Sequence, residues 1–303
     1  MFSSIEEIRQ RFAEQDYICS TETATVVYLA VQLKKPLLVE GPAGVGKTEL
    51  AKVLAVSQDL ELIRMQCYEG LDESKALYEW EYAKQLLYTQ IVKAKIEDVL
   101  SGSQTLSEAV ERIAAQDDAF FSERFIQPRP LLQAIYADEP VVLLIDEVDK
   151  SDPEFEAFLL EILSDFQISI PELGTRQALH RPFVVLTSNN FRDMSDALKR
   201  RCLHLYIDYP GPETERAIVA RRVPELPGRL ADQMIDAMAH IRQLDLKKKP
   251  SISETLDWAR ALISLQLENL SQEAVIATLN VICKYREDAE QVRREVEQVV
   301  NFN

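Results

Sequence analysis

The chain is poor in the residues that build metal centres and disulfide frames. Its four cysteines, Cys19, Cys67, Cys202 and Cys283, are scattered without metal-ligand spacing, and its three histidines, His180, His204 and His240, stand apart from one another and from any cysteine pair. That excludes a zinc module of the usual spacings and a disulfide scaffold, and leaves the cysteines as small, reduced core residues. Basic residues are also short: 34 Lys and Arg face 50 Asp and Glu, a net charge of −16. Such a surface repels phosphate backbones unless a local basic groove overrides it, so nucleic acid is disfavoured as the main partner. Lys247-Lys248-Lys249 is too short a basic stretch to reverse this. No apolar run approaches the roughly 20 residues that cross a bilayer. The start, Met1-Phe2-Ser3-Ser4-Ile5-Glu6-Glu7, carries acids where a signal peptide carries a basic flank. A cytoplasmic protein is expected. Internal repeats and low-complexity tracts are lacking too.

What the chain does have is ordinary apolar content, 47% over 303 residues, enough for one large or two compact cores. Within it, Pro36 to Glu40 is a buried-strand run that opens into Gly41-Pro42-Ala43-Gly44-Val45-Gly46-Lys47-Thr48, followed by a helical run from Thr48 and Glu49. The spacing Gly41-x4-Gly46-Lys47-Thr48 is the P-loop pattern in the strand–turn–helix context it requires. Glycines let consecutive backbone N–H groups wrap a phosphate chain, and the helix N-terminus behind them adds its positive end. Lys47 is expected to neutralise β- and γ-phosphate charge, and the Thr48 hydroxyl to sit on Mg²⁺. The chain is therefore expected to bind ATP with Mg²⁺.

The rest of the chain supplies the surroundings of such a site. Residues Glu61 to Cys67 form a second strand; Val141 to Ile145, apolar at every position, form a third; Phe183 to Thr187 and Leu203 to Ile207 form a fourth and a fifth. Strands alternating with helices imply a parallel sheet in a three-layer α/β domain. Ile5 to Leu33 reads as a helical lead-in and Pro153 to Asp165 as a helix capped by Asp152. A hairpin is expected at 166–178, turning at Gly174-Thr175. Between the second and third strands, Tyr68 to Ala137 reads as mostly helical, with Leu77, Trp80, Leu87 and Ile91 on one face. Pro210-Gly211-Pro212 ends the alternation, and everything beyond reads as helix, starting again at Ser251 or Ser253 and closing with a charged helix from Arg286 to Val300. The expected division is an α/β P-loop domain at 1–210 and an all-α lid at 211–303.

The third strand ends in Asp146-Glu147, where ligands sit in α/β folds. Asp146 suits the metal and Glu147 the attacking water, since successive strand side chains point apart. The fourth strand ends in Ser188-Asn189-Asn190. A neutral amide there, Asn189 first and Asn190 second, would hydrogen-bond water or γ-phosphate; the competing reading is turn chemistry. Before the fifth strand, Arg201, with Arg200 as fallback, suits an arginine finger reaching a neighbouring subunit, although basic residues also settle at helix C-termini for their dipole.

In order and spacing these motifs resemble the AAA+ ATPases. Leu143 to Glu147, Phe155 to Glu161 and the hairpin resemble the MoxR group. Gln66 to Asp72, Ala76 to Trp80, Ser164 to Gln167 and Leu186 to Asn190 resemble its branch linked to maturation of carbon-monoxide-dehydrogenase-type molybdenum enzymes. The resemblance implies a homo-oligomeric ring, usually hexameric. Its ATP cycle would act as a chaperone-like remodeller or activator of a client metalloenzyme, with a von Willebrand factor A domain protein as partner. It places the insert after the second strand and the hairpin toward the ring axis, making Tyr68, Tyr78 and Trp80 candidates there, although ordinary helix–sheet packing is the stronger reading of these aromatics. The family's lid supplies a sensing arginine near a Ser-x-Arg sequence; here Glu254 falls at about that place, with Arg260 on the same helix. The alternatives are a nucleic-acid-directed ATPase of clamp-loader or helicase type, opposed by the charge, and a P-loop phosphotransferase, opposed by Glu147.

Overall fold

The computed structural model describes residues 2–91, 105, 123–170 and 174–300. The lead-in is two helices rather than one, α1 (Ile5–Glu14) and α2 (Thr21–Leu33). The chain reverses at Asp16 in the left-handed region, and Ser20 caps α2 with a hydrogen bond from the Thr23 amide. Strand β1 (Leu37–Glu40) runs into the glycine-rich turn and helix α3 (Lys47–Gln58), then β2 (Glu61–Gln66).

The expected helical face after β2 does not form. Leu77 closes a short helix, α4 (Glu73–Leu77), and is buried, whereas Trp80 ends strand β3 (Tyr78–Trp80). Leu87 and Ile91 lie exposed on α5 (Tyr82–Ile91). Strand β3 pairs antiparallel with β4 (Ile126–Pro128), so the three-and-four spacing was shared between a strand and two helices. The remainder of that insert, 92–104 and 106–122, lies outside the described residues.

Helix α6 (Pro130–Tyr136) precedes β5 (Val141–Asp146), and α7 (Pro153–Asp165) follows it, with Pro153 at its first turn after Asp152. Strands β6 (Gln167–Ile170) and β7 (Gly174–Gln177) make the hairpin, whose tip, 171–173, lies outside the described residues. Then come β8 (Phe183–Ser188), α8 (Asp196–Arg201) and β9 (Leu203–Tyr206).

The five main strands form one parallel sheet in the order β2-β5-β8-β1-β9. Side chains alternate across it. Leu37, Val39, Val142, Leu144, Val185 and Leu205 pack under α1, α2 and α3, while Leu38, Leu143, Ile145, Val184 and Leu186 pack against α6 and α7 on the other face. A sheet covered on both sides needs uniformly apolar strands, which is why β5 is buried at every position. Cys67 and Cys202 belong to this packing; burial pushes both thiols up to about 12, so they remain neutral core residues.

Beyond Pro210 the chain is helical: α9 (Pro212–Arg222), α10 (Gly228–Gln243), α11 (Ile252–Ser264), α12 (Gln272–Ile282), α13 (Arg286–Arg294) and α14 (Val296–Val300). The charged final helix is thus interrupted at Glu295. These helices share a core of their own around fully buried Trp258, whose indole donates to Thr278 Oγ1 at 2.8 Å. A buried bidentate pair, Arg242 to Glu215 at 2.6 Å twice, ties α9 to α10.

Candidate nucleotide site

Every strand of the parallel sheet points its C-terminal end toward the turn between β1 and α3. Two glycines there have no room for a side chain. A Cβ on Gly41 would meet the Ile207 carbonyl oxygen at 1.9 Å, and one on Gly44 would meet Ser251 Oγ at 2.2 Å. Both also have positive φ, 146° and 79°, so the turn depends on glycine at these places.

Around this turn the side chains form one connected network. Lys47 is buried and donates to the Gly41 and Pro42 carbonyls at 2.7 and 2.6 Å and to Asn189 Oδ1 at 2.8 Å. Burial lowers its pKa below the ordinary lysine range, and the Asp149, Asp146 and Glu147 carboxylates only partly offset that. Asn189 turns its other end to Glu147, donating from Nδ2 to Oε1 at 3.0 Å. One amide therefore bridges Lys47 of the glycine-rich turn and the candidate base. Thr48 donates to Asp146 at 3.0 Å, and Thr187 donates to the same oxygen at 2.6 Å.

The structure thus brings together Gly41, Pro42, Ala43, Gly44, Val45, Gly46, Lys47 and Thr48 of the turn with Asp146, Glu147 and Asn189. Asn190 falls outside the group; it takes a left-handed conformation with φ of 59°, which fits the turn reading of this residue. Glu49 lines the cavity but spends its carboxylate on Arg222 of α9 at 2.9 Å and on Lys52 at 3.3 Å. Burial pushes that carboxyl up, yet the bond from Arg222 and the Lys52 charge outweigh it and the net shift is down. Arg200 and Arg201 lie away from this cavity, exposed at the end of α8. Arg201 donates to Ser164 Oγ at 2.9 Å and to the Ala197 carbonyl at 3.2 Å.

Sequence reasoning missed several neighbours. Arg64 on β2 grips Asp146 Oδ2 through Nη2 at 2.6 Å and Nε at 3.1 Å. Gln66, two residues on, donates to Glu147 Oε2 at 2.8 Å, beside Lys150 at 2.7 Å. Fully buried Asp149 accepts from the backbone amides of Asn189 and Phe191 at 3.0 and 2.8 Å, holding the end of β8 where Asn189 leaves it. Its other oxygen has no partner. The helical C-terminal region reaches the turn through Ser253, whose hydroxyl donates to the Gly44 carbonyl at 3.3 Å. Glu254 instead folds back onto Ser251 as the reciprocal capping pair of α11, and Arg260 pairs with Asp257 at 3.2 Å.

The donor set suits a magnesium triphosphate. A cavity of about 260 Å³ is lined by Gly44, Gly46, Lys47, Thr48, Asp146, Glu147 and Asn189. It adjoins a second of about 540 Å³ between Tyr17, Cys19, Ile207 and Ile218, Ile252 and Leu256 of the C-terminal helices, with Gly44, Gly46, Glu49 and Ser253 lining both. Among the described residues no group of three or more His, Cys, Asp or Glu side chains would hold a metal ion alone. Mg²⁺ would rest on Thr48 and Asp146 with phosphate oxygens and water completing its shell, and when bound would neutralise phosphate charge.

A profile of the AAA domain, dynein-related subfamily, matches residues 36–202, more than half of the chain. The chain belongs to this AAA family. Its P-loop, β5 and β8 all fall within the matched stretch. Among its relatives is the gas vesicle ATPase GvpN of Haloferax mediterranei, 23% identical over 77% of this chain and 63% of the relative. The chloroplast chaperone protein ClpD1 of Oryza sativa subsp. japonica is 28% identical over 60% of this chain and 16% of the relative. An uncharacterised protein of Staphylococcus epidermidis is 25% identical over 77% of this chain and 78% of its own length. This AAA chain thus spans less than two thirds of GvpN and a small part of ClpD1. Among solved structures, a RuvB mutant of Thermotoga maritima aligns over 92% of this chain and 71% of its own, with a TM-score of 0.48 and 15% identity. No described helix is long and apolar enough to cross a membrane.

Proposed function

We propose that this AAA domain binds Mg²⁺–ATP on Lys47 and Thr48 and hydrolyses it, with Asp146 on the metal side, Glu147 as the base for water and Asn189 as the amide that senses the γ-phosphate. The observation that carries this reading is the Lys47–Asn189–Glu147 chain of hydrogen bonds. Lys47 now spends its three protons on two carbonyls and an amide oxygen, the partners a phosphate would replace. When Asn189 shifts toward phosphate, its bond to Glu147 loosens, and the carboxylate gains a free oxygen for water.

A homo-oligomeric ring, hexameric as in the resembled group, fits the exposed placement of Arg201, with Arg200 beside it, at the end of a helix. A planar guanidinium there can serve a neighbour's γ-phosphate. The cycle would drive chaperone-like remodelling. The names of two relatives, an ATPase and a chaperone protein, support that class of work. A client metalloenzyme of molybdenum hydroxylase type and a von Willebrand factor A domain partner rest on the motif resemblance, and the net charge of −16 favours a protein client over nucleic acid.

Glu147→Gln is expected to bind ATP normally and to turn over at least about 100-fold more slowly, whereas Lys47→Ala should lose ATP binding. Turnover in Glu147→Gln equal to that of the parent would remove Glu147 as the base. Proteins retained on the Glu147→Gln form in ATP should include a metalloenzyme; retention of DNA or RNA instead would move the reading to a nucleic-acid motor.

A further inference from the structure

At the end of the sheet opposite the P-loop lies a cavity of about 590 Å³, between the C-termini of α2 and α3 and the first residues of β5 and β8. Its walls are apolar: Val31, Leu54, Leu60, Val141, Phe166 and Val184. Its rim carries Lys34, Lys35, His180 and Arg181, and among the described residues no acidic side chain lines it. In a chain with 50 acids against 34 bases this is the reverse of the general surface. Asp59, Glu61, Asp138 and Glu139 neighbour lining residues along the chain, yet none of them lines the cavity.

Three further observations describe what belongs there. Lys34, Lys35 and Arg181 make no ion pair among the described residues, and the Arg181 guanidinium lies over the Phe166 ring at 4.2 Å, which leaves its N–H edge free. Gln58, the last residue of α3, lines the cavity and has a buried Nε2 without any acceptor. Leu179 of the rim is 77% exposed, so the apolar surface continues to the mouth. Several unspent cations above an apolar floor call for an acceptor with a single negative charge on an apolar body. Phosphate fits less well, because two helix C-termini point their negative ends at the cavity and would oppose a second charge. Lys34 offsets the dipole of α2, but Lys35 and Arg181 lie beyond any helix end and have no such duty.

We propose that this cavity is a binding site for an amphiphilic carboxylate, an aromatic or branched aliphatic group bearing one carboxylate. The carboxylate would take the cationic rim of Lys34, Lys35 and Arg181, and the body would replace water on the floor.

The test uses the full-length protein and phenylbutyrate, with the neutral phenylbutyramide as control, followed by calorimetry and by methyl NMR of the floor residues. The acid is expected to bind at least about tenfold more tightly than the amide, and the Lys34→Glu/Arg181→Glu variant to lose about tenfold of that affinity. Both substitutions are on the surface, so an unchanged melting curve and unchanged ATP binding will show that the variant is folded. Equal affinity for acid and amide, no loss on charge reversal, or no binding up to about 10 mM would each overturn the proposal. A tetrapeptide ending in phenylalanine, added in competition, separates two sources of the same chemistry. Displacement assigns the site to chain termini and lack of displacement to free small molecules; either supports the site.

Discussion

Asp149 offers the sharpest test of how the site is held. Its Oδ2 accepts two backbone N–H groups, from Asn189 at 3.0 Å and Phe191 at 2.8 Å, in a place only 1% exposed. Hydrogen bonds to a charged acceptor contribute about 1.5–3 kcal/mol each, so the pair contributes about 3–6 kcal/mol. Against this stands Oδ1, buried and unpartnered, whose desolvation costs about 1–3 kcal/mol and is relieved when the carboxylate goes. Asp149→Ala should therefore destabilise by about 2–4 kcal/mol, and Asp149→Asn, which keeps one acceptor, by about 1–2 kcal/mol. Urea unfolding followed by circular dichroism reads both. Because the lost bonds anchor the segment that carries Asn189, residual folded Asp149→Ala should also hydrolyse ATP more slowly while Asp149→Asn recovers part of the rate. An alanine variant within about 0.5 kcal/mol of the parent, with unchanged turnover, refutes this account.

Other outcomes follow from the same geometry. Gly44→Ala would place a methyl 2.2 Å from Ser251 Oγ at a φ of 79°, so helix α11 must retreat; ATP affinity should fall about tenfold or more, read by calorimetry. Glu156 is pushed up by burial, but bonds from Ser195 and Arg192 outweigh that and bring its pKa below 4.5. The stability it contributes is therefore present above pH 4.5 and lost as pH falls below it, and Glu156→Gln should flatten that acid limb in urea titrations. On the proposed ring assembly, Arg201→Ala should keep ATP affinity yet lose hydrolysis. Monomers that hydrolyse as fast as oligomers would discard the trans-acting arginine.

The parts of the fold most legible in the sequence were those whose signal is local. The central strands β1, β5 and β8 showed as apolar runs because both faces of the sheet are covered there, and the glycine-rich turn showed because glycine, lysine and threonine must sit at fixed offsets. The acids ending β5 followed from the same logic. Less legible was whatever depends on strand neighbours distant in sequence. Arg64 and Gln66 serve Asp146 and Glu147 only because β2 lies beside β5 in register, Gln66 opposite Asp146. Thr187 reaches Asp146 because β8 flanks β5 on the other side. The segment around Trp80 misled because apolar residues three and four apart suit a helix equally well when a strand and two helices share them.

Glu147 itself sits with φ of 57° and ψ of 50°, a conformation that costs an ordinary side chain about 1 kcal/mol and glycine almost nothing. The chain thus carries its acid at a spot where its own backbone would relax if the acid were removed. A glycine there would shed that strain together with the bonds from Asn189, Gln66 and Lys150, so the two changes offset and a melting temperature close to the parent's is a misleading guide to whether the site is intact.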